Sequence, residues 1–241
     1  MDIFACLLAA YLCLFSVTAA ENSLRRANNP IIAESGPLDS AVNEEASSSK
    51  FQITTHQNTY TAAYPERDAY LGTVSIPDIG FTLDLYWSTA QSVVDQEDAG
   101  AMCCFTCLPG DLHGSALIMD HNYQQGKKLG EIEPGVKIYL DLTYGQYIFE
   151  AMDTEIAEIA GTEKIVMPPS FLQRRGHEEE LGEIFIDTVL SDGKSICKTL
   201  VDDSQGDLYI MTCYPFNSVE TDKLFFVHCK LIQGTKLFEN Q

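Results

Sequence analysis

The sequence predicts an all-β fold, a closed or nearly closed β-barrel or a sandwich, with only short helices in its connections. Three observations carry this reading. About eight short runs are alternating or β-branched, turn-forming pairs separate them, and helical periodicity is scarce. The strands are expected over Leu71 to Ile76, Ile79 to Trp87, Ser115 to Asp120, Val136 to Leu142, Tyr147 to Met152, Glu183 to Leu190, Asp207 to Thr212 and Leu224 to Ile232. Between them stand Pro77-Asp78, Pro109-Gly110, Pro134-Gly135, Tyr144-Gly145 and Asp192-Gly193. Proline presets φ, Gly supplies positive φ, and Asp bonds to its own backbone, so each pair reverses the chain for a physical reason. Helix is expected only over Ala90 to Glu97 and parts of Gly161 to Leu181. No internal repeat is visible.

The chain has 241 residues, enough for one domain and its tails. Residues 1–20 are nearly all apolar as far as Ser16 and end in small residues, which reads as a secretory signal peptide with cleavage near Ala19 or Ala20. Its apolar run is short against the roughly 20 residues that a membrane span needs. Residues 21–69 read as a disordered polar leader, broken by Pro30, Gly36 and Pro37. Within it, Leu24-Arg25-Arg26 with Glu44-Glu45 downstream resembles the translocation region of secreted oomycete effectors, with Asn22 standing at that motif's first arginine. Residues 70–241 form the β domain.

Fifteen Lys and Arg against 35 Asp and Glu give a formal net charge of -20. Phosphate backbones and anionic membranes require a clustered cationic face, so nucleic acid is excluded as a partner, and so is a membrane once the signal has been removed. Removal of the signal leaves Cys103, Cys104, Cys107, Cys197, Cys213 and Cys229. An oxidising compartment makes pairing the default fate of these thiols, with the partners left open. Cys103-Cys104-Phe105-Thr106-Cys107 with His113 imitates a zinc site, but no second C-x-x-C follows and secretion favours disulfides. No metal and no cofactor are therefore expected.

Cys213 ends the apolar run Leu208-Tyr209-Ile210-Met211-Thr212, and His121 follows the run Ala116-Leu117-Ile118-Met119. Neighbouring strands can carry both residues to one rim. A thiol becomes a nucleophile when a base or cation beside it favours the thiolate, and histidine is the usual partner. Asp120, as the strand neighbour of His121, is read as facing away, on the surface. His228 alternates with Phe226 and is read as a half-buried structural histidine, while His56 and His177 have no visible partner.

At these residues the chain resembles the sortases, secreted or membrane-anchored cysteine transpeptidases. Ile210-Met211-Thr212-Cys213-Tyr214-Pro215-Phe216-Asn217 resembles the nucleophile strand T-L-x-T-C in the T-C-Y-P-F form of class D-like members. Ser115 to Asn122 resembles the strand that ends in the family's histidine. Val74 to Phe81 resembles the opening I-P-x-I-G, and Leu129 to Ile138 the stretch L-x-x-L-x-x-G-D-x-I. Together these span about residues 71–232.

The resemblance implies a sortase-like eight-stranded β-barrel. It also implies a peptide or protein substrate bearing a Leu-Pro-x-Thr-Gly-like sorting signal, with Cys213 as nucleophile through a thioacyl intermediate and His121 as acid and base. The family's oxyanion arginine would fall on Leu224, within Thr221-Asp222-Lys223-Leu224-Phe225. Lys223 is the nearest substitute cation and a candidate third site residue, although adjacent strand residues face opposite sides and Lys223 would need a bulge to reach the thiol. Arg174 and Arg175 are rival cations. The other reading that the resemblance leaves open is a catalytically impaired, effector-like binding module on the same barrel.

Overall fold

In the computed structural model, residues 64–175, 180–203, 205–219, 221–235 and 237 are described. The signal segment, the leader up to residue 63, His56, His177 and the side chains of Arg174 and Arg175 lie outside them. Nine strands run β1 Tyr70–Ile76, β2 Phe81–Trp87, β3 Ala99–Met102, β4 Ala116–Met119, β5 Lys137–Leu142, β6 Gly145–Val166, β7 Ile184–Leu190, β8 Leu208–Tyr214 and β9 Lys223–Gln233. The α-helices are α1 Gln91–Val94, α2 Pro169–Arg175 and α3 Ile196–Asp202.

The strand order is β5-β1-β2-β3-β4-β8-β9-β6-β7, and β5 also pairs with β6. That extra pairing closes eight strands into the expected barrel, leaving β7 outside as the partner of the distal part of β6. Period-two alternation fills the interior. In β2, Phe81, Leu83, Leu85 and Trp87 are fully buried while Thr82 and Asp84 face out. Val74, Ile76, Ile138, Leu140, Tyr147, Phe149, Leu208, Ile210 and Val227 meet them in the core. Each such side chain contributes about 1.5–3 kcal/mol by leaving water. Tyr64, ahead of β1, is also buried, with its hydroxyl donating to Asp111 at 2.5 Å.

Several elements differ from the sequence expectation. β2 begins at Phe81, because Pro77–Ile79 forms a 3-10 turn that ends on Gly80 at φ 60°. β3, Ala-Gly-Ala-Met, is too short and too small to read as a strand, yet all four residues are buried. β6 continues to Val166, well past the expected Met152 and through residues 161–166, where helix was anticipated. Its outer half is polar, and strand propensity there yields to pairing with β9 and β7. α3 was not anticipated. Its start is held by the buried carboxylate of Asp187, which accepts N–H bonds from Cys197 and Lys198, both at 3.1 Å.

Gly72 shows how tightly the barrel closes. It lies between Leu85 of β2 and Leu142 of β5 at φ +134°, and a Cβ there would stand 2.1 Å from the Asp141 carbonyl oxygen. Gly135 is also at positive φ, +94°, but has nothing within 4 Å of a Cβ. Gly72→Ala is therefore expected to lower the urea-unfolding free energy by more than about 2 kcal/mol, against about 1 kcal/mol for Gly135→Ala. Equal losses would show that backbone conformation alone, and not the closure contact, sets the cost.

Candidate active site

Two strand pairings build the site. β4 and β8 run parallel in register, Ile118 beside Ile210 and Met119 beside Met211, and the Asp120 N–H continues the ladder to the Met211 carbonyl at 3.2 Å. The ladder ends there, with His121 two residues beyond Met119 on one strand and Cys213 two beyond Met211 on the other. β9 then pairs antiparallel with β8 and puts Leu224 directly across from Cys213.

Alternation decides which way the thiol faces. Leu208, Ile210 and Thr212 point into the barrel and are buried, so Tyr209, Met211 and Cys213 share the outer face, with Cys213 half-buried. Burial pushes the Cys213 thiol above its ordinary value, and the hydrogen bond with Thr221 opposes only part of that effect.

His121 is held from several sides. Its Nε2 lies 2.9 Å from Asp95 Oδ1 and 2.9 Å from Gln91 Nε2, and the Gln91 amide donates to the same Asp95 oxygen at 2.8 Å. The carboxylate is the acceptor in this triangle, so the tautomer that satisfies it carries its proton on Nε2. The ring also stacks on Tyr123 at 4.6 Å. Burial alone would raise the Asp95 carboxyl, but the hydrogen bonds from Gln91 and His121 and the attraction to His121 hold it below its ordinary value. Gln91 and Asp95 belong to α1 and its C-terminal cap, which place them one helical turn apart. Neither was expected from the sequence, where α1 was legible only as a short helix.

Asn122 is a second unexpected member. Buried directly after His121, it donates to the carbonyls of Pro215 and Ser218 at 2.7 and 2.9 Å, and its own carbonyl accepts from Asn217 N–H at 3.0 Å. It thereby ties the end of β4 to the turn that follows β8. Phe216 in that turn packs edge-on against Tyr214 and Phe225, and a Cβ on Gly130 would stand 2.5 Å from its ring.

Two expectations are corrected. Lys223 pairs with Tyr214, one residue beyond Cys213 and therefore on the opposite face, where its ammonium bonds Glu158 at 3.2 Å. The regular β8–β9 register contains no bulge that would turn it toward the thiol. Asp120 is buried and not on the surface. It accepts the Gly126 N–H at 2.7 Å, capping the 3-10 segment Gln125–Glu131. His228 is half-buried as expected, bonded to Asp207 at 2.8 Å and stacked on Tyr209 at 4.8 Å. Among the described residues no group of three or more His, Cys, Asp and Glu stands at metal-ligand geometry.

A cleft of about 290 Å³ opens on the same outer face. Its floor holds Tyr209, Phe226 and His228, and Asp153 and Glu155 of β6 line its side. Register relates it to the thiol, since Tyr209, His228 and Asp153 form one row, Met211, Phe226 and Glu155 the next, and Cys213, Leu224 and Ala157 the third. Cys213 is not in the cleft wall. The nearest cleft row lies two strand residues away, about 7 Å.

Asp120 gives the site a pH signature. Burial raises its carboxyl from 3.8 to about 6, against the N–H bonds from His121 and Gly126 that lower it. Between those values the unfolded chain has released the proton and the folded chain retains it, so stability falls as pH rises from about 4 to 6, by about 2 to 3 kcal/mol. Asp120→Asn is expected to flatten this segment of the stability profile measured by urea unfolding. An unchanged slope would assign the pH dependence to other groups.

No family model matches the chain, and no curated protein matches it. Solved structures do. Sortase C-3 from Streptococcus pneumoniae is 17% identical, with 77% of this chain and 73% of that chain covered at a TM-score of 0.47. Sortase C from Clostridium perfringens is 15% identical, with 70% and 72% covered at a TM-score of 0.44. A lid mutant of sortase A from Corynebacterium diphtheriae is 14% identical, with 70% and 73% covered at a TM-score of 0.44. The solved structures to which this eight-stranded barrel is similar are thus sortases of classes A and C.

Proposed function

We propose that this chain is a secreted, sortase-like cysteine transpeptidase or peptidase acting on peptides with a Leu-Pro-x-Thr-Gly-like signal. The observation that supports this reading is the β4–β8 register, which lays the strand that precedes His121 alongside the strand that carries Cys213, on the face where the cleft opens. An extended peptide lies along that face, with the carbonyl of the bond to be cleaved at Cys213. The Cys213 thiolate adds to this carbonyl carbon, and the carbonyl electron pair moves to oxygen. When the intermediate collapses, the C–N bond breaks and His121 gives a proton to the departing amine, leaving a thioester on Cys213. His121 then takes a proton from the incoming amine or water as that nucleophile resolves the thioester. Asp95 holds the imidazole in place through these transfers, and Gln91 holds Asp95.

The weak point of this machinery is charge. A preorganised cation at the oxyanion is worth about 3 kcal/mol of barrier, and Leu224 occupies the position from which an arginine would supply it. Burial of the thiol and the net charge of -20 both disfavour the thiolate. Leu224 therefore also favours a second reading, a barrel that binds peptides or proteins in its cleft without turnover. In both readings the chain is secreted through residues 1–20, followed by the leader.

The test is formation of a covalent adduct with a Leu-Pro-x-Thr peptide carrying an electrophilic carbonyl mimic, followed by intact mass. The adduct is expected on Cys213 and to be lost in Cys213→Ala. His121→Ala should slow it about a hundredfold or more, and Asp95→Asn about tenfold. Leu224→Arg should accelerate it about ten- to a hundredfold if the missing cation limits the rate. Failure to form an adduct with a folded protein whose Cys213 thiol alkylates normally would leave the binding-module reading standing in place of the enzyme.

A further inference from the structure

The sequence leads one to expect paired cysteines, whereas this structure holds all six described cysteines as thiols. One approach among them stands out, with Cys103 Sγ and Cys197 Sγ 3.8 Å apart across 94 residues of chain. Cys103 directly follows β3, and Cys197 lies in the first turn of α3. Both are buried. We propose that these two form the disulfide of the mature protein, clipping α3 to the connection between β3 and β4.

The two backbones are already fixed for it. Cys103 N–H donates to the Leu117 carbonyl at 2.8 Å, and the Cys103 carbonyl accepts from Thr106 N–H at 3.0 Å. On the other side, Asp187 anchors the start of α3 through the N–H groups of Cys197 and Lys198. Ser115 N–H donates to the Leu200 carbonyl of α3 at 2.8 Å, and Phe105 stacks at 4.2 Å on Phe185 of β7, the strand whose Asp187 anchors α3, so the two segments are docked without the bond. A disulfide needs sulfurs about 2.05 Å apart. Closing from 3.8 Å takes less than about 2 Å of travel, shared between two side-chain rotations.

The chemistry balances with a small disulfide, such as oxidised glutathione, as oxidant. One protein thiolate attacks a sulfur of the oxidant, forming a mixed disulfide and releasing one thiol. The second protein thiolate displaces the other half, so two protein thiols lose two hydrogens and the oxidant leaves as two thiols. The pairing has a consequence for the cleft, because Ser195, Ile196, Thr199 and Leu200 of the same segment line it. The clip fixes that wall. It also leaves Cys213, on the outer face of β8, as a thiol in an oxidising compartment. The inference does not depend on the proposed activity.

The test uses the full chain produced in an oxidising secretory pathway. Remaining thiols are alkylated without reduction, and the protein is digested and its peptides fragmented to locate the crosslink. A Cys103–Cys197 link is expected, with Cys213 recovered alkylated. Cys197→Ser should lower the melting temperature by about 10 °C in oxidising buffer and leave it nearly unchanged when both proteins are reduced. Recovery of Cys197 as an alkylated thiol, or a link from Cys197 to Cys104 or Cys107, would overturn the proposal, and mapping the unaltered protein gives this answer even if the variant fails to fold. A crosslink that includes Cys213 would instead defeat the enzyme reading and leave the Cys103–Cys197 pair to be judged on its own peptides.

Discussion

The parallel pairing of β4 with β8 is the contact on which the rest of this structure depends. Most of the other barrel pairings are antiparallel, several between strands that follow one another along the chain. The β4–β8 pair joins Ala116 to Leu208 across a segment that holds β5, β6, β7 and all of α2 and α3. Such a contact is costly to form, since a long loop must close before any ladder bond offsets its entropy. Once it forms, it fixes four things together. The barrel interior gains Ile118 against Ile210, the strand before His121 lies along the strand that carries Cys213, Asn122 reaches the turn after Cys213, and α3 is drawn against the β3–β4 connection. The site is therefore a product of barrel closure and has no local precursor.

Strand alternation then sorts the thiols by chemistry. On β9, Cys229 lies across from Leu208, points inward and is fully buried, with desolvation pushing its thiol far above the ordinary range. On β8, Cys213 points outward and is half-buried. A one-residue slip in either strand would exchange these environments, so the β8–β9 register determines which cysteine stands on the outer face. The same register explains Lys223. Its row, Tyr214 and Glu158, is the first beyond the thiol on the other face, where the ammonium completes an ion pair.

What was legible in the sequence follows from these distinctions. Period-two patterns in β1, β2, β5 and β8 name their own inward faces, and the apolar runs before His121 and Cys213 locate the two residues at strand ends. Three kinds of feature were not legible. β3 has no side chain larger than Met102 and is a strand only because β2 and β4 pair with it. The outer half of β6 is polar and would read as coil without its two neighbours. Asp95, Gln91 and Asn122 are ordinary polar residues whose roles depend on distances between α1, β4 and the β8–β9 turn. Asp120 was misread for a related reason. It does face away from His121, but that direction leads under the 3-10 segment and not into water, and no strand rule contains that segment.

The opposition between burial and charge at Cys213 bears on how such a thiol could work. Desolvation raises the thiol, and the row that should offer a cation offers Leu224, buried and apolar. Under the proposed activity the compensating group is His121, whose imidazole is bonded to Asp95, a carboxylate half exposed to solvent. The proposed activity would therefore rest thiolate stabilisation on one imidazole, where a barrel with an arginine on β9 would share it between two cations. On that reading α1 belongs to the candidate site, since the helix is only four residues long and its cap supplies that carboxylate. Any motion that lifts α1 from the rim would remove Asp95 and Gln91 from His121 at one stroke, and the imidazole would lose the acceptor that orients it.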